Sequence, residues 1–287
     1  MKILFAADQS KYSSWAADFL LRLPLTEPPL IQALHVIEKA VLTDPLIAPA
    51  LVSQTTREAQ KATTSANRLT KRLADRLCTR WQTVRPQIER GPITEKIISV
   101  ARKDKSDLIM MGSRGLSDVQ AFLMGSVSQQ VVTYAPCSVL VVKRKISKLK
   151  KILVAVDGSV EARRAMAFLA NHLSPAQIDV TLLNVRNDPF IPPTFSLETL
   201  KDHVRDSFAL GHTLLDEAGF ATQDLCVIGH SAAKIVETAR RRRADLVVVG
   251  SRGLTGLKRF LLGSVSRQVI KHSPCAVLVV RGRQLRW

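Results

Sequence analysis

The chain has 287 residues, of which 46% are apolar and only 5% aromatic, with 42 Lys and Arg against 24 Asp and Glu for a net charge of +18. That apolar share supports folded cores, and no apolar run approaches the roughly 18 residues of a membrane span. Four cysteines are too few for a disulfide framework, which points to a reducing cytoplasm.

In chain order, Lys2–Ser10 (KILFAADQS) reads as an opening strand that ends on Asp8, with nothing resembling a signal peptide before it. His35 lies inside the next apolar strand, where a core role is the usual one. Residues 38–82, with Pro45 and Pro49 followed by a run rich in Thr, Ala, Arg and Lys, read as a loop plus an amphipathic helix. Such an insertion could cover a ligand or meet a partner. Leu108–Met111 is a short buried strand, Val127–Tyr134 a helix and Val139–Val142 (VLVV) a last strand. A charged junction, Lys143–Lys151, leads into a second unit beginning KILVAVDGS. There the expected elements are strands Ile152–Val156, Val180–Val185, Leu225–Ile228, Leu246–Val249 and Val277–Val280. Helices are expected over Glu161–Leu173, Ala232–Arg243 and Val265–His272, with a variable stretch running to about Glu217.

The second unit repeats the first. Asp107–Lys145 aligns with Asp245–Arg283 without a gap, 21 of 39 positions being identical, and the half-starts agree at six of nine. The offset is 149 residues at the front and 138 at the back, so the first half carries eleven extra residues in its middle. Two domains follow, 1–146 and 147–287, each with 21 basic and 12 acidic residues. Short, wholly apolar strands alternating with helices predict α/β domains of the Rossmann-like, doubly wound class, each a five-stranded parallel sheet flanked by helices. Ligands of such sheets bind beyond the strand C-termini, where the strand order reverses.

Each half places a glycine pattern at such a strand end, G-x2-G-x9-G-S: GSRGLSDVQAFLMGS at 112–126 and GSRGLTGLKRFLLGS at 250–264. The first glycine lets the chain leave the strand, the second allows a ligand close, and the last Gly-Ser opens a helix whose amides suit an anion. Glycines that only make turns, with serines that only cap helices, are the alternative. Asp8 and Asp157 could likewise be simple caps, although Ser10 and Ser159 are available for that task. Arg114 and Arg252 occupy equivalent places and could touch phosphate.

The strand-end Asp, a second strand ending in HV or NV, the glycine pattern and PC-x-VLVV together resemble the universal stress protein family, as two tandem copies over the whole chain. That resemblance implies a Rossmann-like sheet in each half and, with the full glycine pattern, ATP binding. Carried onto this chain, Gly112, Arg114, Gly115, Gly125, Ser126 and Val127, and likewise Gly250, Arg252, Gly253, Gly263, Ser264 and Val265, would hold ribose and phosphates. Ala7 with Asp8, and Asp157, would lie near the ribose or a phosphate-bound Mg. Val36 and Val185 would border adenine. The resemblance also implies that the two VLVV edges pair, making the chain an internal pseudo-dimer.

In the second loop Gly256, Lys258 and Arg259 replace Asp118, Gln120 and Ala121, which predicts tighter ATP binding in the C-terminal half. The chain carries no G-x4-G-K-[ST] loop, no HExxH and no CxxC, and the favoured function is non-enzymatic: a nucleotide-binding stress-response or regulatory module with a protein partner of unknown identity. Slow ATP hydrolysis or a transferase activity on the same architecture stays open, as does homodimerisation. The third alternative is a basic partner-binding or nucleic-acid-binding protein that holds no nucleotide. The scarcity of aromatics and the even spread of charge argue against nucleic acid. The densest basic cluster, Arg240–Arg243, suits a solvated helix C-terminus.

Overall fold

The computed structural model describes residues 1–38, 49–115 (side chains from 57), 124–175, 177–186, 208–209, 211–253 and 262–282. In chain order the first half runs β1 (Lys2–Ala6), α1 (Lys11–Arg22), β2 (Leu30–Ile37), α2 (Pro49–Cys78), β3 (Thr83–Arg90), α3 (Ile93–Lys103), β4 (Leu108–Gly112), α4 (Ser126–Tyr134) and β5 (Ser138–Val142). The second half runs β6 (Lys151–Ala155), α5 (Val160–His172), β7 (Asp179–Arg186), β8 (Ala221–Ile228), α6 (Ser231–Arg241), β9 (Leu246–Gly250), α7 (Ser264–His272) and β10 (Ala276–Val280). Residues 211–217 are also helical. The expected elements are all present. Strand β8 begins four residues earlier than apolarity suggested, because Ala221–Asp224, with three polar residues after Ala221, still pairs with β7.

All ten strands form one sheet in the order β3-β2-β1-β4-β5-β10-β9-β6-β7-β8. Within each half the pairs are parallel. In the sheet the halves join at an antiparallel strand pair, Val139 opposite Val279, Leu140 opposite Leu278 and Val141 opposite Val277, and an isolated antiparallel bridge also links Leu25 to Leu173. Every residue of β4, β5, β9 and β10 is buried, as expected of strands covered on both faces. Hydrophobic cores lie on both sides of the sheet, and each runs unbroken through both halves. The helix of the insertion, α2, buries Ala66, Thr70, Leu73, Ala74 and Leu77, a stripe at helical spacing.

The junction is not a free linker. Ile146 and Leu149 are buried in the shared core, and Arg22 Nε donates to the Ser147 carbonyl at 2.9 Å. Beyond β5, Lys143 Nζ donates to the carbonyls of Lys271 (3.1 Å) and Ser273 (2.9 Å) at the end of α7. Its counterpart after β10, Arg281, donates to Val132, Thr133 and Ala135 at the end of α4. Each half thus supplies a cation to the orphan carbonyls of the other half's last helix. Burial pulls the Lys143 ammonium down to about 8.

Candidate functional site: two cradles at the sheet's switch points

In the order 3-2-1-4-5, the chain crosses from β1 to β2 on one side and later returns to β4 on the other. The crevice beyond the ends of β1 and β4 is therefore the switch point, and β6 and β9 make the same crevice in the second half. Ala7 and Asp8 leave β1 there, buried and half-buried respectively; Gly112 ends β4. Asp157 and Gly250 are their counterparts.

The glycines have distinct physical tasks. A Cβ on Gly112 would stand 2.6 Å from the Tyr12 backbone, and one on Gly250 would stand 2.7 Å from Glu161 Cβ, so the first glycine lets α1 or α5 press against the strand end. A Cβ on Gly115 would meet Asp8 Oδ2 at 3.0 Å, and one on Gly253 would meet Asp157 Oδ2 at 2.6 Å. The second glycine therefore brings bare backbone against the strand-end carboxylate.

Gly125 and Gly263 occupy the N-cap positions of α4 and α7, and among the described residues no side chain caps either helix. Ser126 and Ser264 follow as the first helical residues, exposed, with Val127 half-buried and Val265 37% exposed behind them. The expectation that these serines could be caps is thus corrected: the cap residue is glycine, which offers no oxygen. The helix amides are left to solvent or an anion. Gly125 N–H donates to Ser113 O at 2.9 Å and Gly263 N–H to Ser251 O at 2.8 Å, which brings the helix start back beside the strand end. Ser128 and Ser266 hydroxyls lock it there by donating to the Gly112 and Gly250 carbonyls.

Ser10 and Ser159 do cap α1 and α5, accepting from Ser13 N–H and Ala162 N–H at 3.1 Å. The aspartates instead accept from the loop behind them. Asp8 Oδ1 takes Ser10 N–H (3.0 Å) and Ser10 Oγ (2.6 Å), and Asp157 Oδ1 takes Ser159 N–H (3.0 Å). In both halves one carboxylate oxygen is fixed by its own turn and the other lies against the second glycine.

Val36 and Val185 sit at the far ends of β2 and β7. β1 pairs with β2 only as far as Leu34, and β6 with β7 only as far as Leu183. Two residues later, no strand among the described residues pairs with either valine on the inner side, which faces the crevice. Sequence reading missed the clamp that holds this corner. His35 Nδ1 donates to the Ala7 carbonyl at 2.7 Å, and Asn184 Nδ2 donates to the Val156 carbonyl at 2.9 Å. The two residues are 149 apart, the offset of the half-starts, and that spacing was the available signal.

The motif arginines have different companions. Arg114 Nη1 donates to Tyr12 Oη at 3.1 Å, whereas Arg252 Nη2 pairs with Glu161 Oε1 at 3.3 Å. Asp118, Gln120 and Ala121, with Gly256, Lys258 and Arg259, lie outside the described residues, so the expectation of a tighter C-terminal site gains no support from geometry. What is described places a carboxylate beside the C-terminal arginine. In the first half Gln9 follows Asp8 and donates to Ser65 Oγ of α2 at 2.9 Å, which puts the insertion helix at the rim of that cradle. His230 is the N-cap residue of α6, far from either carboxylate in sequence and with no side-chain cap bond. Cys137, Cys226 and Cys275 are buried and form no disulfide. Among the described residues no cluster of His, Cys, Asp and Glu is disposed to hold a metal by itself, and no helix is long and apolar enough to cross a membrane.

The sequence model of the universal stress protein family matches residues 1–143 and again 148–281. The chain belongs to the universal stress protein family. A universal stress protein of Mycolicibacterium smegmatis is 27% identical over 297 residues, spanning 98% of this chain and 97% of its own. One from Methanocaldococcus jannaschii is 33% identical over 139 residues, 46% of this chain and 82% of its own. The crystal structure of a universal stress protein from Archaeoglobus fulgidus superposes with a TM-score of 0.70 over 99% of this chain and 97% of that one, at 20% identity, a likeness of fold. Within this universal stress protein, both halves repeat the same glycine contact at the equivalent carboxylate.

Proposed function

We propose that each half, 1–146 and 147–287, binds an adenine nucleotide, ATP in the first place, and that occupancy sets the conformation of the cradle loops for a regulatory partner in the cytoplasm. One observation carries the reading: in both halves the second glycine abuts the strand-end carboxylate while an uncapped helix N-terminus faces the same crevice. Bare backbone, free amides and one carboxylate suit a polyphosphate with its counter-ion better than they suit a packed turn.

The residues fit the ligand in three places. Gly115, Gly125, Ser126 and Val127, with Gly253, Gly263, Ser264 and Val265, would hold phosphates and ribose. Asp8 and Asp157 would accept from the ribose or help hold a phosphate-bound Mg, which would supply charge neutralisation there. The open backbone edges of Val36 and Val185 would read adenine, the clamps from His35 and Asn184 keeping that corner in place. The reading is a binding module.

Denaturing freshly purified protein and counting released nucleotide tests it. One or two adenine nucleotides per chain are expected. The Gly115→Ala and Gly253→Ala variants should each lose about one site, the latter more completely because its Cβ would lie nearer the carboxylate. No released nucleotide, with no heat on titrating ATP and magnesium into the intact chain, would sink the reading.

A further inference from the structure

Both cradles lie where strands end. Where the strands of the second half begin there is a different concavity, a cavity of about 660 Å³ reached by the first residues of β6, β7 and β8, Lys151, Asp179 and Ala221. α6 runs antiparallel to these strands, so its C-terminus arrives at the same place and adds Arg241, Arg242 and Arg243 to the wall. In register, Lys151 pairs with Asp179, and Thr181 with Gln223, which sets all four on one face of the sheet. Thr181 and Gln223 give that face a hydroxyl and an amide beneath the helix end.

Cations at a helix C-terminus need no ligand to be stable. Arg242 does more than that role asks. It is half-buried, and its Nη1 donates to Gln223 Oε1 of β8 at 2.6 Å and to Thr181 Oγ1 of β7 at 3.5 Å. Its guanidinium is thereby held across two strands, and among the described residues its Nε and Nη2 have no acceptor. Four cations line the cavity against one exposed carboxylate, Asp179. Among the described residues Lys151, Arg242 and Arg243 make no ion pair. Like charges gathered round a concave wall repel one another and focus a positive field into it, and an entering anion relieves both. The first half does not repeat the arrangement, since Asp104 stands in the place of Arg242 and Arg85 in that of Gln223, each 138 residues earlier.

We propose that this cavity binds a small anion carrying two or more phosphate groups, at a site separate from both cradles. A fixed guanidinium presents parallel N–H donors to the oxygens of one phosphate, and the neighbouring cations suit the charge of the next. The volume falls within the range of small-molecule sites and exceeds what a single phosphate fills. The proposal does not rest on nucleotide binding in the cradles.

The test is a titration of inorganic triphosphate into the full chain, followed by NMR of the arginine side-chain Nε–H signals. Arg242 and Arg243 report the cavity, while Arg114 and Arg252 report the cradles, so one titration separates the two kinds of site. The Arg242 and Arg243 signals should shift along a saturable curve with a midpoint below about 1 mM, weakened by added salt. Arg242→Asp, which copies the first half, should weaken the Arg243 response by about tenfold or more and leave those of Arg114 and Arg252 unchanged. If that variant does not fold, Arg242→Gln serves in its place. Inorganic monophosphate should bind the cavity at least about tenfold more weakly than triphosphate. The absence of a saturable shift at Arg242 and Arg243 overturns the proposal, as does an Arg243 response that either variant leaves unchanged. Monophosphate binding as tightly as triphosphate overturns it too.

Discussion

Glu161 is the residue that most distinguishes the two cradles. It stands where the first half has Tyr12, on the first turn of its helix, and its carboxylate pairs with the arginine that follows the strand-end Gly-Ser. It is 14% exposed and also lies 3.4 Å from Arg164. A carboxylate so placed competes with any phosphate for Arg252. Glu161→Gln should therefore tighten ATP binding to the C-terminal half, by about threefold to tenfold, the equivalent of about 1 kcal/mol for a partly exposed pair. Calorimetry in a Gly115→Ala background isolates that half, and Glu237→Gln on distant α6 controls for the general loss of a negative charge. Equal affinity for the glutamine variant and its parent would remove Glu161 from the account.

Among the elements, the helical turn at 211–217 is tied to β8 by a titratable cluster. His212 lies between Asp224 (3.0 Å) and Asp216 (3.3 Å), and Thr222 Oγ1 bonds both His212 and Asp216. The hydrogen bond to Asp224, reinforced by the charge of both carboxylates, raises the imidazole above its usual 6.5. A raised histidine binds its proton more tightly in the folded chain, so its stabilisation is complete below the unfolded value and fades as pH rises through the folded one. His212→Gln should lower the Tm by about 2 °C near pH 6 and by little near pH 9, the modest size reflecting an exposed pair. A pH-independent difference would show that packing, not charge, holds this turn.

For the molecule as a whole, the shared sheet and the exchanged helix caps make each half depend on the other. Lys143 and Arg281 reach across to helices they do not follow, and the junction residues Ile146 and Leu149 are buried where the two halves meet. An isolated 1–146 fragment would expose β5, five buried residues, as a bare apolar edge. It should self-associate, Leu140 of one copy facing Leu140 of another, instead of remaining monomeric. Sedimentation of the fragment checks this, and a folded monomer would show that the β5–β10 pair is not what joins the halves.

The duplication, the α/β class and the strand-end glycines were legible because they are periodic, local and written twice. Apolar runs bounded by glycine specify buried parallel strands whatever surrounds them, and a gapless 39-residue match leaves the repeat in no doubt. The β5–β10 pairing was foreseen from the family resemblance alone. The side chains that complete the cradles were not legible. His35 and Asn184 share a task, and Tyr12 and Glu161 share a position, yet neither pair is alike in chemistry, so a search for identical residues passes over them. Their roles depend on which backbone carbonyl or guanidinium a fold brings within 3.5 Å, across 28 residues for the clamps and about a hundred for the arginines. Local sequence determined which segments became strands and where the glycines stood. Only the tertiary structure decided what each carboxylate, histidine and arginine faced, because those contacts join chain segments that have no sequence relation to one another.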